Sequence, residues 1–163
     1  MNRRNVVISL LWSLCVVAGF AGTVSAGDQV PFRGGLEGSY TVTVVPPIGT
    51  FVGSGIGMGT HLGRFTYEFP HTVNFGTVPP IGTGTYSFTA ANGDRVHATF
   101  TGQSTPVAPG FVYVVEECVI TGGTGRFTNA SGRFTVMRLV DQVNRRTSGS
   151  FEGTISSPGT NKR

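Results

Sequence analysis

The chain has almost no cysteine, little charge and few helix formers, and each shortage excludes a class of protein. Only Cys15 and Cys118 occur in 163 residues. Cys15 lies in an N-terminal stretch that reads as removable, so no intrachain disulfide is expected and packing alone must hold the domain. Charged residues make up 12% of the sequence, with a formal net charge of +4. Arg3 and Arg4 belong to the N-terminal stretch and Lys162 and Arg163 to a polar tail, however, and Leu36 to Ile155 holds seven arginines against seven acids. A neutral domain with scattered signs has no basic footprint for nucleic acid. Ala, Leu, Glu and Lys are scarce and no window keeps a 3.6-residue apolar period, so helix should be minimal.

Chemical signatures are also missing. Gly53-Ser54-Gly55 is only a fragment of a nucleophile elbow, with no helix pattern after it. Gly122-Gly123-Thr124-Gly125 has the composition of a phosphate loop but lacks its lysine and joins two strand patterns. Its glycines Gly122, Gly123 and Gly125 are read as a structural turn needing positive φ. His61, His71 and His97 have no tight ligand spacing, so no metal is expected, and no cofactor.

At the N-terminus, Arg3 and Arg4 precede an apolar run from Val6 to Phe20, and Val24-Ser25-Ala26 supplies the small residues a signal peptidase reads. Residues 1–26 are therefore expected to be a signal peptide, and the destination the periplasm or the medium of a bacterium. The run is shorter than the roughly 20 residues of a membrane span. Leu14 before Cys15 does not fit a lipid-anchored signal. The processed chain is expected to be soluble, without a membrane partner. Its 137 residues, 163 less 26, suit one domain with one core. Residues 27–35 would form an N-terminal extension, 36–156 the domain and 157–163 a polar tail.

Thr, Val, Phe and Gly dominate that domain, and strand patterns run Leu36 to Val45, Phe51 to Gly59, His61 to Phe69, Val73 to Phe75, Gly84 to Ala91, Arg95 to Gly102, Phe111 to Thr121, Gly132 to Asp141 and Thr147 to Ile155. Between them lies turn chemistry: two Pro-Pro-Ile-Gly stretches at Pro46 and Pro79, Asn92-Gly93, Pro106 to Gly110, and the glycines from Gly122. Val45-Pro-Pro-Ile-Gly-Thr50 recurs as Val78-Pro-Pro-Ile-Gly-Thr83. The intervening residues do not repeat, so two similar turns are expected rather than a solenoid. Parity gives each strand one wet face: Leu36, Tyr40, Val42 and Val44 oppose Glu37, Thr41 and Thr43, and Phe65, Tyr67 and Phe69 oppose Arg64, Thr66 and Glu68. Gly53, Gly55, Gly57 and Gly59 share one face, permitting curvature or the close approach of other groups.

The segment Val119 to Phe134, with Gly-Gly-Thr-Gly-Arg-Phe followed by Asn-Ala-Ser-Gly, resembles the Gly-Gly-Thr-Gly-x-Phe-x-x-Ala-x-Gly hairpin of plant dirigent proteins, allene oxide cyclases and secreted bacterial proteins with the same barrel. Gly57 to Phe65, Asn92-Gly93-Asp94 and Gly149 to Ile155 look like elements of that bacterial group. The resemblance implies an all-β fold, an eight-stranded antiparallel barrel with a partly apolar interior, and the trimers of the plant relatives leave a homo-oligomer open. It implies that a small apolar molecule occupies the barrel. Inward Gly, Ala and Val would leave space for it. The alternatives are a cyclase or isomerase using the cavity as a template, and an envelope protein with a filled interior. No catalytic residue transfers from the resemblance.

Glu116 and Glu117 are adjacent in a strand, so one of them turns inward, either as a general acid raised by burial or as the partner of an arginine such as Arg138 or Arg95. His61, between Gly59 and Gly63, and Tyr67 and Arg64 on the following strand are the other ligand-binding candidates.

Overall fold

The computed structural model describes residues 28–159. The expected signal peptide and residues 160–163 lie outside the described residues. Nine strands follow one another: β1 (Gln29–Val45), β2 (Ile48–Gly59), β3 (Gly63–Glu68), β4 (His71–Asn74), β5 (Ile81–Ala90), β6 (Arg95–Ala108), β7 (Phe111–Gly123), β8 (Gly132–Asp141) and β9 (Arg146–Ser156). A single 3-10 turn, Gly125–Phe127, interrupts them. Every pairing is antiparallel and, β3 and β4 apart, each strand lies beside its sequence neighbours, with β1 pairing both β2 and β9, so the sheet closes.

The nine strands fill eight positions in the ring. Both β3 and β4 lie between β2 and β5, and their register is continuous: Ser54 faces Glu68 and Phe51 faces His71 on one side, Ser87 faces Glu68 and Gly84 faces His71 on the other. Only Phe69 and Pro70 separate them. Proline has no N–H to give the ladder, which breaks the strand without bending it out of register.

Several boundaries move from the sequence reading. β1 begins at Gln29, so residues 29–35 are not an extension but the half-strand that pairs with β9, Gln29 against Ser156 to Ser39 against Arg146. β6 runs on through Pro106 to Ala108, because β5 ends opposite Gln103 and leaves that edge of β6 unpaired. The two Pro-Pro-Ile-Gly-Thr copies flank β4 symmetrically: Ile48 and Ile81 both face Asn74, and Gly49 and Gly82 both face Val73. They are matching strand ends.

Inside the ring stands a column of aromatic rings. At the lower end, where the 59–63, 90–95 and 123–132 turns lie, Phe32, Phe65, Phe88, Phe134 and Phe151 are all at most 2% exposed. Their rings meet mostly edge to face or tilted, with centroids 4.9–6.2 Å apart. Leu62, Phe127 and Ala130, buried residues of the lower turns, close that end.

The glycine row of β2 is what lets these rings fit. Gly57 lies opposite Phe65 and Gly55 opposite Tyr67, and a Cβ at Gly53, Gly55 or Gly57 would come closer than 3.0 Å to ring atoms of Phe69, Tyr67 and Phe65 respectively. The space left by the missing side chains is therefore filled by aromatic neighbours, correcting the expectation that inward glycines leave room for a ligand. Half the lumen is solid core.

Candidate functional site

Above Tyr67 the interior changes character. Glu116 on β7 is 2% exposed and Arg138 on β8 4% exposed. Alternation along β7 sets this direction: Glu116, Cys118 and Ile120 are buried while Glu117 and Val119 are exposed. Arg138 grips the carboxylate with two N–H groups, Nη2 to Oε1 at 2.6 Å and Nε to Oε2 at 3.2 Å. Tyr86 on β5 donates its hydroxyl to Oε2 at 2.5 Å, and Arg138 Nη1 reaches Thr147 Oγ1 at 3.5 Å. The guanidinium also lies 4.9 Å from the centroid of Phe69, a cation–π arrangement. Only this degree of pairing makes two charges tolerable in an apolar lumen.

Beside this trio stands His71, in β4. Its ring is stacked on Phe51, centroids 4.7 Å apart and 8° from parallel, and lies near-parallel to Phe69 at 5.7 Å. Nδ1 is 2.9 Å from the carbonyl oxygen of Phe69. A carbonyl only accepts, so Nδ1 carries the hydrogen and Nε2 of the neutral ring is left as an acceptor. Burial holds His71 below the ordinary imidazole range, the hydrogen bond to Phe69 opposing that only in part.

Burial likewise raises Tyr86 far above a free phenol, with Arg138 opposing and Glu116 adding to the rise. Burial alone would lower Arg138; the negative partners around it, Glu116 among them, reverse the direction and hold it charged. Cys118 is pushed up by burial and then by Glu116, which makes it an inert packed thiol.

His71, Glu116 and Arg138, with Tyr86 and Cys118 outside the lining, face a cavity of about 80 Å³ at the upper end of the barrel, walled by Tyr40, Phe51, Phe69, Val112, Val114 and Val140 and rimmed by Phe75, Pro80 and Gln142. By volume it has room for on the order of six waters or one single-ring molecule. Phe75 on its rim is 46% exposed. Two larger hollows of about 850 and 830 Å³ include wall residues such as Glu37, Ile56 and Thr66 and have no buried charged side chain in their lining. The small cavity holds the chemistry.

Of the residues singled out from the sequence, Glu116 is at this site, and Arg138, one of the two arginines named for it, is its partner. Glu117 points outward, where Thr135 Oγ1 donates to it at 3.2 Å. His61 is exposed in the β2–β3 turn at the opposite end, with φ of 60°, and Arg64 is exposed on the outer wall. Neither can touch a molecule in the lumen. Tyr67 is inside, 2% exposed, but does not line the cavity. Among the described residues its hydroxyl has no hydrogen-bond partner, and burial raises its ionisation far above the ordinary value. Gly122 and Gly125 adopt positive φ, 141° and 58°, as the turn reading expects, but Gly123 does not. A register shift between His97 and Ala98 lets Gly122 and Gly123 remain in the ladder of β7. Among the described residues no group of three metal-ligating side chains is present, and no helix is long and apolar enough to cross a membrane.

No family model matches the chain, and no curated protein does. Among solved structures, a pterocarpan synthase dirigent protein superposes with a TM-score of 0.55 over 91% of this chain and 98% of its own, at 13% identity. The barrel is dirigent-like. At that identity the likeness is one of fold, and no residue role passes with it. Arg138, Glu116, Tyr86 and His71 have to be read from their own geometry. The sequence offers His71 only as a metal ligand and does not single out Tyr86. The signal that could have found both was their inward parity near the break at Pro70 and opposite the inward glutamate.

Proposed function

We propose that the upper half of the lumen binds one small, flat, uncharged molecule that carries a hydrogen-bond acceptor and a hydrogen-bond donor, and that the protein does so after export to the periplasm or beyond. The observation that carries this reading is the neutral Arg138–Glu116 pair beneath an aromatic-walled cavity. Three of the five guanidinium N–H groups are engaged by Glu116 and Thr147, which leaves two for a ligand carbonyl. Opposite sits an acceptor, Nε2 of His71. A carboxylate ligand would place a second negative charge beside Glu116 where little water screens it, and the site offers no second cation to offset it.

A template reading, in which the same groups steer a ring closure, draws on Tyr86 and Glu116 sharing a short hydrogen bond. Binding is prior to it. A wholly filled structural barrel describes the lower half of the lumen but not the upper.

Residues 27–163 titrated by calorimetry with benzamide and benzoate, which match in shape and differ in charge, test the reading. Benzamide should bind at least about tenfold more tightly. In Glu116→Gln the arginine loses its counter-charge and the preference should invert. Equal or stronger binding of benzoate to the unmodified protein would overturn the neutral-ligand class, and no uptake of either probe would overturn binding itself.

A further inference from the structure

The two ends of the barrel differ in what their turns expose. At the lower end the turns carry Thr60, His61, Asn92, Asp94 and Asn129, and the one large apolar side chain more than a third exposed beside them is Met58, at the end of β2 among the described residues. At the upper end every one of the four turns displays at least one: Val45 at 72% and Ile48 in the first, Phe75 and Val78 at 46% and 100% in the second, Val107 at 57% in the third and Val143 at 76% in the fourth. These side chains form a broken ring around the cavity mouth.

The only charged residues of those turns are Asp141, Arg145 and Arg146. Asp141 is engaged within its own turn, accepting from the backbone N–H of Val143 at 3.0 Å and of Asn144 at 2.9 Å, and from Nδ2 of Asn144 at 2.7 Å. Arg145 and Arg146 are exposed; Arg146 stands across the ladder from Asp141 and helps to lower its ionisation, so Arg145 supplies the net positive charge of these turns. The rim therefore presents separated apolar tips with a positive excess beside them.

We infer that the mouth end docks on the surface of an anionic phospholipid bilayer, with the valine and phenylalanine tips entering the headgroup layer and Arg145 and Arg146 meeting lipid phosphates. Shape and charge together select this occupant. Apolar tips on four separate turns around an opening offer a folded partner no continuous face to pack against, whereas a fluid layer closes around each of them. Their cationic neighbours match the negative surface potential of such a layer. The contact is peripheral: the protein lies on the membrane and does not span it. This revises the expectation that the processed chain has no membrane partner. It also places the cavity mouth where small uncharged molecules concentrate, though the docking stands whether or not the cavity binds one.

Flotation of residues 27–163, a segment that contains the whole closed sheet, with vesicles of phosphatidylcholine alone or mixed with phosphatidylglycerol provides the test. Binding to the mixed vesicles should fall by about tenfold or more in Val45→Asp/Val78→Asp/Val143→Asp, whose positions are too exposed to affect folding. It should fall to the level of phosphatidylcholine alone in Arg145→Asn/Arg146→Gln. Far-ultraviolet dichroism confirms that each variant is folded. No binding to mixed vesicles, or binding unchanged in the triple variant, would overturn the inference. So would self-association that the triple variant abolishes in the absence of lipid, which would assign the rim to a second copy of this chain.

Discussion

Below Tyr67 the lumen is filled ring against ring, from Phe32 to Phe151; above it the same strands hold a carboxylate, a guanidinium and an imidazole around open space, with the phenol of Tyr86 bonded to the carboxylate outside that lining. The lower half is what the closed sheet needs to be stable, and its parts are interchangeable hydrophobes of suitable volume. In the upper half Glu116, Arg138 and Tyr86 are held by specific hydrogen bonds to one another, and that kind of specificity is not required for folding: a well-packed apolar replacement would serve as well or better.

The largest expected effect comes from breaking the polar half. Arg138→Met strands Glu116 without its counter-charge and should cost about 3–5 kcal/mol in urea unfolding, with loss of benzamide uptake. Adding Glu116→Leu should recover most of the stability and none of the binding; if the double variant stays as unstable as the single one, the buried pair is required by the fold and the contrast between the halves fails. In the lower half, Phe32→Ala removes a ring packed against Phe88, Phe134 and Phe151. It should also cost about 3–5 kcal/mol, yet leave benzamide affinity unchanged. A parallel loss of binding would show that the two halves are mechanically one.

Tyr67 marks the boundary, and its unpartnered hydroxyl makes a smaller prediction of opposite sign. Tyr67→Phe should raise stability by about 1 kcal/mol, since the change deletes a buried polar group that gains nothing from the protein. A drop on that substitution would reveal a hydrogen bond that the lumen supplies through water.

The smallest effect is in pH. His71 is a base whose value in the folded chain lies below the ordinary 6.5, chiefly through burial, so the unfolded chain takes up the proton first. Its contribution to stability is full above about pH 6.5 and is lost as pH falls from there through the folded value. His71→Phe, which keeps the stacked ring, should flatten that part of the stability profile. Asp141 acts lower down: hydrogen bonds from Asn144 depress it below 3.8, and what it contributes is lost only as pH falls through the folded value beneath that. A profile with no change near neutrality in the unmodified protein would mean that His71 does not sit as described.

Much of the fold was legible because an up-and-down sheet with one wet face writes its alternation into every strand. The polar half was legible only to the level of a choice. β7 carries Val112 and Val114 inward and Tyr113 and Val115 outward, so both faces look apolar until Glu116 and Glu117, and only the neighbouring strands decide which glutamate enters. Gly59 and Gly63 drew attention to His61, but the left-handed backbone at His61 and Gly63 simply turns the chain. His71 falls outside the strand patterns of the sequence because Pro70 breaks them. What periodicity does not encode is occupancy: an inward glycine looks the same whether a ligand or the ring of Phe69 fills the place beside it.

The seam between β1 and β9 joins residues 29–39 to residues 146–156. The first strand made by the ribosome therefore waits for the last before its second edge is covered, and until Ser156 has emerged the chain is an unfinished sheet with two bare margins. Truncation before Arg146 would not trim this molecule but unroll it, giving a product prone to join its neighbours edge to edge.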